Sequence, residues 1–150
     1  MRLVIQRVRY ASVTVAQQEV ARIGPGLAIL VGFVAPDEPT DFPRIAEELL
    51  RLRVFNDDEG RMARSLVDTG GEVLVVPEIT LVASLAKGQR PSFDPAAPPA
   101  VAKILFEAFV QSIQAVYPKV AVGLFQAHMV VHLANDGPVT CVLDRPALTP

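Results

Sequence analysis

Apolar and polar positions alternate along residues 2 to 8 and again along 12 to 16, with Tyr10 and Ala11 between them. This period-two pattern predicts an opening pair of strands. Ile23-Gly24-Pro25-Gly26 then reads as a turn, and Leu27 to Val34 is a continuous apolar run, short enough for a central strand. From Thr40 to Leu52 the period lengthens: Phe42, Ile45, Ala46, Leu49 and Leu50 recur at helical spacing, with Pro43 acceptable in the first turn. Asn56 to Gly60 is a turn, Glu72 to Val82 the next long strand, and residues 84 to 98 a loop bearing Gly and Pro. A loop of that length is long enough to be functional. Pro99 to Ala115 reads as the second helix, its apolar stripe formed by Val101, Ile104, Leu105, Ala108, Phe109 and Ile113, with Val116 just beyond. The chain closes with strands near Val120 to Leu124, His128 to Ala134 and Val139 to Leu143, the last two joined through Asn135-Asp136-Gly137-Pro138.

That junction is the most informative stretch of the chain. Asn and Gly tolerate positive φ and make ordinary hairpin chemistry, but a Pro directly after the Gly forces a rigid, extended corner. Without a side chain at Gly137 or an N–H at Pro138, its main-chain carbonyls are open to close approach by a ligand or a second subunit.

Strands outnumber helices without a regular β-α-β alternation. The expected fold is therefore a mixed α/β single domain over residues 1 to 150, with largely antiparallel or mixed β-sheets and two main helices packed on one side in β/β/α layers. A chain of 150 residues with 51% hydrophobic residues and a mean hydropathy of +0.35 can bury a full core without disulfides or metal. Its surplus of apolar surface favours an obligate oligomer. The lone Cys141, in an apolar strand, is expected to be a small buried hydrophobe, and a reducing compartment is permitted. No apolar leader and no run approaching the ~20 residues of a bilayer span is present, so a soluble, cytoplasmic protein without a membrane partner is expected.

Net charge is -2, from 14 basic and 16 acidic residues, which leaves no overall basic footprint for nucleic acid. Any such contact must be local. Lys87 and Arg90, in the Gly- and Pro-bearing loop, are placed to reach phosphates near a site mouth. His128 and His132 lie four apart in one strand and share a face, but two ligands do not make a metal site. The acidic run 56 to 60 lacks the ligand spacing of a calcium loop. No nucleophile elbow, zinc-protease helix or Walker lysine occurs, so neither metal nor cofactor is expected. A hydrolase built from this chain must lean on main-chain dipoles and on an already activated substrate.

Six segments agree in order with one family: Met1 to Val8, Ile23 to Leu27, Gly70 to Val76, Thr80-Leu81, Lys87 to Phe93, and Asn135 to Thr140. Together they resemble the D-aminoacyl-tRNA deacylases, from Met1 to about Asp144, leaving 145 to 150 as a tail. The resemblance implies hydrolysis of the ester joining a D-amino acid to the 3′ end of tRNA. It also implies a homodimer with cross-subunit active sites and a cis bond at Gly137-Pro138. That corner would enter the partner's pocket, hold the amino group of the D-amino acid through its carbonyls and exclude the L-enantiomer. Arg7 matches the arginine that supports the corner, and Phe93 and Met129 match residues lining the pocket of the terminal adenosine.

One departure stands out. The family pattern is Ser-Gln-x-Thr-Leu, and this chain has Pro77-Glu78-Ile79-Thr80-Leu81. Pro77 supplies no N–H, while those of Ile79 and Thr80 remain available to an oxyanion. Glu78, Ile79 and Thr80 are accordingly the candidate catalytic residues. Glu78 either points away, acts as a base or amino-group partner, or alters activity; Thr80 is a nucleophile, an orienter or a plain strand residue. Two other readings are an editing deacylase of the same fold acting on glycyl- or L-alanyl-mischarged tRNA, and a silent tRNA-end binding protein.

Overall fold

The computed structural model describes residues 1–86 and 88–145. Strand β1 (Arg2–Val15), β2 (Gln18–Ile23) and β3 (Gly26–Gly32) open the chain. The expected pair of strands in 2 to 16 is instead one continuous strand of 14 residues. Its two halves serve different neighbours: Arg2 to Val8 pairs with β3, whereas Ala11 to Val15 pairs with β2. The true hairpin turn is at Ala16 and Gln17, both at positive φ (48° and 64°). Such a turn matches the twist of the flanking strands, but Ala-Gln lacks the Asn-Gly chemistry that usually announces it.

Helix α1 (Phe42–Leu50) follows a 3-10 turn and buries Phe42, Ile45, Ala46, Leu49 and Leu50, the stripe read from the sequence. A short hairpin, β4 (Phe55–Asn56) and β5 (Met62–Arg64), leads into α2 (Leu66–Thr69). This one-turn helix carries a reciprocal Ser65/Asp68 capping box and ends at Gly70, φ 65°. Strand β6 (Glu72–Pro77) stops five residues short of the expected Val82, because Ile79–Val82 turns into a 3-10 helix capped by Glu78. Helix α3 (Pro99–Val116) and β7 (Val120–Val122) come next. In α3 the buried face is Leu105, Phe106, Phe109, Val110 and Ile113. Val101, Ile104 and Val116 of the expected stripe are exposed instead, the helix being rotated so that Phe106 and Val110 face inward.

The last strand overturns the terminal hairpin. β8 (Met129–Asp144) is one strand of 16 residues, antiparallel to β1 along its whole length. Register shifts between Gln6 and Val8 and between Val8 and Ala11 absorb the Asn135–Pro138 stretch as a bulge. A bulge inserts extra residues and bends a strand without reversing it. Both flanking runs consequently meet the same partner on the same side.

The sheet order is β2-β1-β3-β6-β7, with β8 on β1; β3–β6 and β6–β7 are parallel and the other pairings of this sheet are antiparallel. The long, bent β1 and β8 fold the sheet over on itself, giving two cores. One lies under α1 and α3 and includes the ring cluster Phe33, Phe42 and Phe109, with Phe42 and Phe109 edge-to-face at 5.5 Å. The other, between the sheet halves, gathers Val8, Ala11, Val13, Ile23, Ala28, Leu74 and Val76. This is the expected mixed α/β fold, a sheet with few helices. Gly26 lets β3 approach β6: a Cβ there would lie 1.9 Å from the carbonyl oxygen of Glu72. No helix among the described residues is long and apolar enough to cross a membrane.

Candidate active site

Parallel strands leave their carboxyl ends open, and ligands bind preferentially beyond them. β3 and β6 end side by side, with Val31 paired to Pro77. Beyond these ends lies a cleft of about 320 Å³ lined by Gly32, Phe33, Glu78, Ile79, Phe125 and Met129, with Ala102 of α3 on its far wall. Gly32 permits this crowding, since a Cβ there would lie 2.7 Å from the Glu78 carbonyl oxygen. Gln126, at φ 60°, contributes to the same wall. A second, shallower depression adjoins it, sharing Glu78, Ile79 and Met129 and adding Thr80 and His128.

The backbone at this edge has spare donors. The Glu78 N–H donates to the Val31 carbonyl (2.8 Å) and the Leu81 N–H to that of Glu78 (3.4 Å), which starts the 3-10 helix. The first N–H groups of a helix have no internal acceptor. Among the described residues, no backbone acceptor faces the N–H of Ile79 or Thr80. Pro77, where the family pattern has Ser, ends the strand without an N–H to give. The Thr80 hydroxyl donates to Glu78 Oε1 at 2.6 Å. Nearby, Arg2 Nη1 donates to the Leu81 carbonyl (3.3 Å). Its guanidinium is held protonated by a hydrogen bond to Asp144, whose own carboxyl is lowered by the same contact.

The Asn135–Pro138 bulge is fixed from both sides. Beneath it, Arg7 is 8% exposed. Its Nε donates to the Asp136 carbonyl (2.8 Å), and its Nη1 to the Val54 carbonyl (2.6 Å) and Asn56 Oδ1 (3.3 Å). Above it, the Asn135 side chain accepts from the Val139 N–H (2.7 Å) and donates to Thr140 Oγ1 (2.9 Å). The Gly137-Pro138 bond is cis, and Gly137 has φ 133°, where a Cβ would meet Arg7 Nη2 at 2.9 Å. Arg7 therefore stands directly against the corner.

Of the other expected site residues, Met129 and Glu78 to Thr80 converge on the cleft and its depression. Phe93 and Arg90 are exposed on the 84 to 98 loop, which the Ser84–Ser92 bridge closes, and neither lines the cleft. Lys87 lies outside the described residues. Gly137 and Pro138 line neither the cleft nor the adjoining depression that Glu78 to Thr80 border. Phe125, Ala102 and Gly32 escaped the sequence reading; a glycine inside the apolar run 27 to 34 was the one signal available, marking close approach of another backbone. No cluster of three metal-ligating side chains occurs among the described residues.

The arrangement defines a mixed α/β protein whose polar site is built largely from main chain. A family model described as D-Tyr-tRNA(Tyr) deacylase matches residues 4–144. The D-aminoacyl-tRNA deacylase of Nitrosococcus oceani is 51% identical over 142 residues, 95% of this chain and 92% of the relative. That of Heliobacterium modesticaldum is 50% identical over 144 residues, 96% of each. Among solved structures, the c-Myc DNA Unwinding Element Binding Protein aligns over 98% of this chain and 100% of its own, with a TM-score of 0.92 and 35% identity. A probable eukaryotic D-amino acid tRNA deacylase aligns over 95% of this chain and 97% of its own, with a TM-score of 0.82; at 17% identity it shows the fold alone. The chain belongs to the D-Tyr-tRNA(Tyr) deacylase family.

Proposed function

We propose that this protein hydrolyses the ester bond of D-aminoacyl-tRNA, releasing a free D-amino acid and tRNA, as an editing enzyme of the cytoplasm. Family membership over residues 4–144 carries the reaction class. The site supports it: two adjacent uncommitted N–H groups at Ile79 and Thr80 suit the oxyanion of a tetrahedral intermediate. An aminoacyl ester is reactive enough that polarising its carbonyl and positioning one water suffices.

The chiral gate is Gly137-Pro138, held by Arg7 and Asn135, and it acts on the site of a second copy of the chain. Two observations support that assignment. The gate lines neither the cleft nor the depression that the Glu78–Thr80 wall borders. β8, which carries the gate, pairs among the described residues only with β1 and leaves Val130 and Val142 exposed, 48% and 61%. A strand edge without a partner, flanked by apolar side chains, is a ready surface for another chain. In the homodimer the ammonium group of the substrate meets the main-chain carbonyls of the corner, and an L-side chain collides with it. The apolar cleft takes the terminal adenosine against Met129, while Phe93, Lys87 and Arg90 approach the tRNA end from the loop.

The test is amino-acid release from matched D- and L-tyrosyl-tRNA at catalytic enzyme levels, with a Gly137→Val, Pro138→Ala double variant. Hydrolysis of the D-ester alone, lost in the variant, is expected. Inertness toward both esters, or equal rates on both, refutes the proposal.

A further inference from the structure

We propose that Glu78 is the base that takes the proton of the attacking water, a role that rests on the deacylase reading above. A glutamine at this position, as in the family pattern, cannot accept a proton; a carboxylate can. The geometry prepares it for that task. Thr80 spends its hydroxyl hydrogen on Oε1 at 2.6 Å, which orients the carboxylate. Among the described residues no donor engages Oε2. Glu78 thus lines both the cleft and the depression beside two uncommitted N–H donors, with one carboxylate oxygen held by Thr80.

Electrostatics favours this role over a passive one. An ionised carboxylate next to a forming oxyanion would oppose it. The opposition disappears when the same step neutralises the carboxylate. Water oxygen bonds to the ester carbonyl carbon as its proton passes to Glu78 Oε2. The carbonyl π pair becomes the oxyanion, held by the Ile79 and Thr80 N–H groups. On collapse the bond to the ribose oxygen breaks, and that oxygen recovers the proton from Glu78, so charge and protons balance.

Few other charges face this carboxylate. His128 lines the same shallow depression. Arg2 reaches the 3-10 helix through the Leu81 carbonyl but is paired with Asp144. Lys103 of α3 is directed to Glu107. β3 carries no titratable side chain between Gly26 and Gly32, and on β6 Glu72 lies at the opposite end, bonded to the Gly24 N–H. The described part of the 84 to 98 loop contributes Arg90 and Asp94, neither of which lines the cleft.

The deciding experiment is background-corrected hydrolysis of D-tyrosyl-tRNA from about pH 4 to about pH 8 by wild-type, Glu78→Gln and Thr80→Val proteins, each checked for folding by circular dichroism. The wild-type kcat is expected to show an acid limb, falling toward the low end of that range. Glu78→Gln should lower kcat about 100-fold at neutral pH, leave KM unchanged and abolish the limb. Thr80→Val, which only releases the carboxylate, should keep the limb with a smaller loss. A Glu78→Gln variant with wild-type or higher kcat, or with the limb intact, overturns the inference while leaving the deacylase reading in place. So does a change confined to KM, which would assign Glu78 to binding the amino group. A wild-type protein inert on the D-ester overturns both.

Discussion

Replacing Arg7 by Met removes the support beneath the Gly137 corner while keeping most of the side-chain volume. Three hydrogen bonds disappear, to the carbonyls of Asp136 and Val54 and to Asn56 Oδ1. Bonds from a charged donor are worth about 1.5–3 kcal/mol each, and a buried acceptor left alone costs about 1–3 kcal/mol. The three do not count equally. Val54 is buried, so its carbonyl finds no water, whereas Asn56 is exposed and Asp136 half-buried, and both are reached by water more readily. A net loss of about 3 kcal/mol follows, or roughly 6–12 °C in Tm for a domain of this size. Arg7→Lys should recover less than half of it, because an ammonium cannot serve three acceptors lying in a guanidinium plane. Urea unfolding followed by circular dichroism measures this, at one protein concentration, since oligomerisation couples stability to concentration. Below the unfolding range, Arg7→Met should also lose discrimination between D- and L-esters, the corner being free to move. A loss under about 1 kcal/mol, or selectivity intact in Arg7→Met, would refute the view that Arg7 holds the gate.

Three further outcomes are expected. Gly26→Ala forces a Cβ to 1.9 Å from the Glu72 carbonyl oxygen, so β3 and β6 must part; a loss beyond about 3 kcal/mol or failure to fold is expected, and a soluble variant of unchanged Tm would contradict the strand packing. Phe109→Ala empties the centre of the Phe33/Phe42 ring cluster and should cost about 3–5 kcal/mol in chemical denaturation; a cost under about 1 kcal/mol would show that the core collapses into the gap. The Asp144 carboxyl is lowered in the fold by its hydrogen bond from Arg2. Its small contribution is therefore complete above the carboxyl's unfolded-state titration and is lost as pH falls through the depressed folded one. Protection at the Arg2–Asp144 end of β8, taken relative to the intrinsic exchange rate at each pH, should fall with acidification in the wild type and be less pH-dependent in Asp144→Asn, and an identical pH response in both would count against the pair.

Much of the molecule was legible in residue order. The period of Phe42, Ile45, Ala46, Leu49 and Leu50 specified α1 and its buried face, because an amphipathic helix needs only local spacing to declare itself. The alternation in residues 2 to 8 and 128 to 143 declared strands, and the departure at Pro77 and Glu78 was visible directly. Pairing was not. Whether Asn135–Pro138 reverses the chain or bulges it depends on which strand lies alongside, and only the shared partner β1 made the two runs a single strand. The rotation of α3 was hidden for a similar reason. More of its circumference is apolar than the core can cover, so packing against α1 and the sheet chose Phe106 and Val110 over Val101 and Ile104.

The site divides along the same line. Sequence by itself determined which chemical groups exist: a carboxylate at Glu78, no N–H at Pro77, a side-chain-free corner at Gly137 and a guanidinium at Arg7. Tertiary structure decided what those groups face. It ended β6 early so that Ile79 and Thr80 keep free donors, drew the Thr80 hydroxyl onto Glu78, and carried Arg7 to a bulge on the far strand. Such contacts join residues distant in the chain, and the hydrogen bonds and burial that select them exist only once the sheet has folded back on itself.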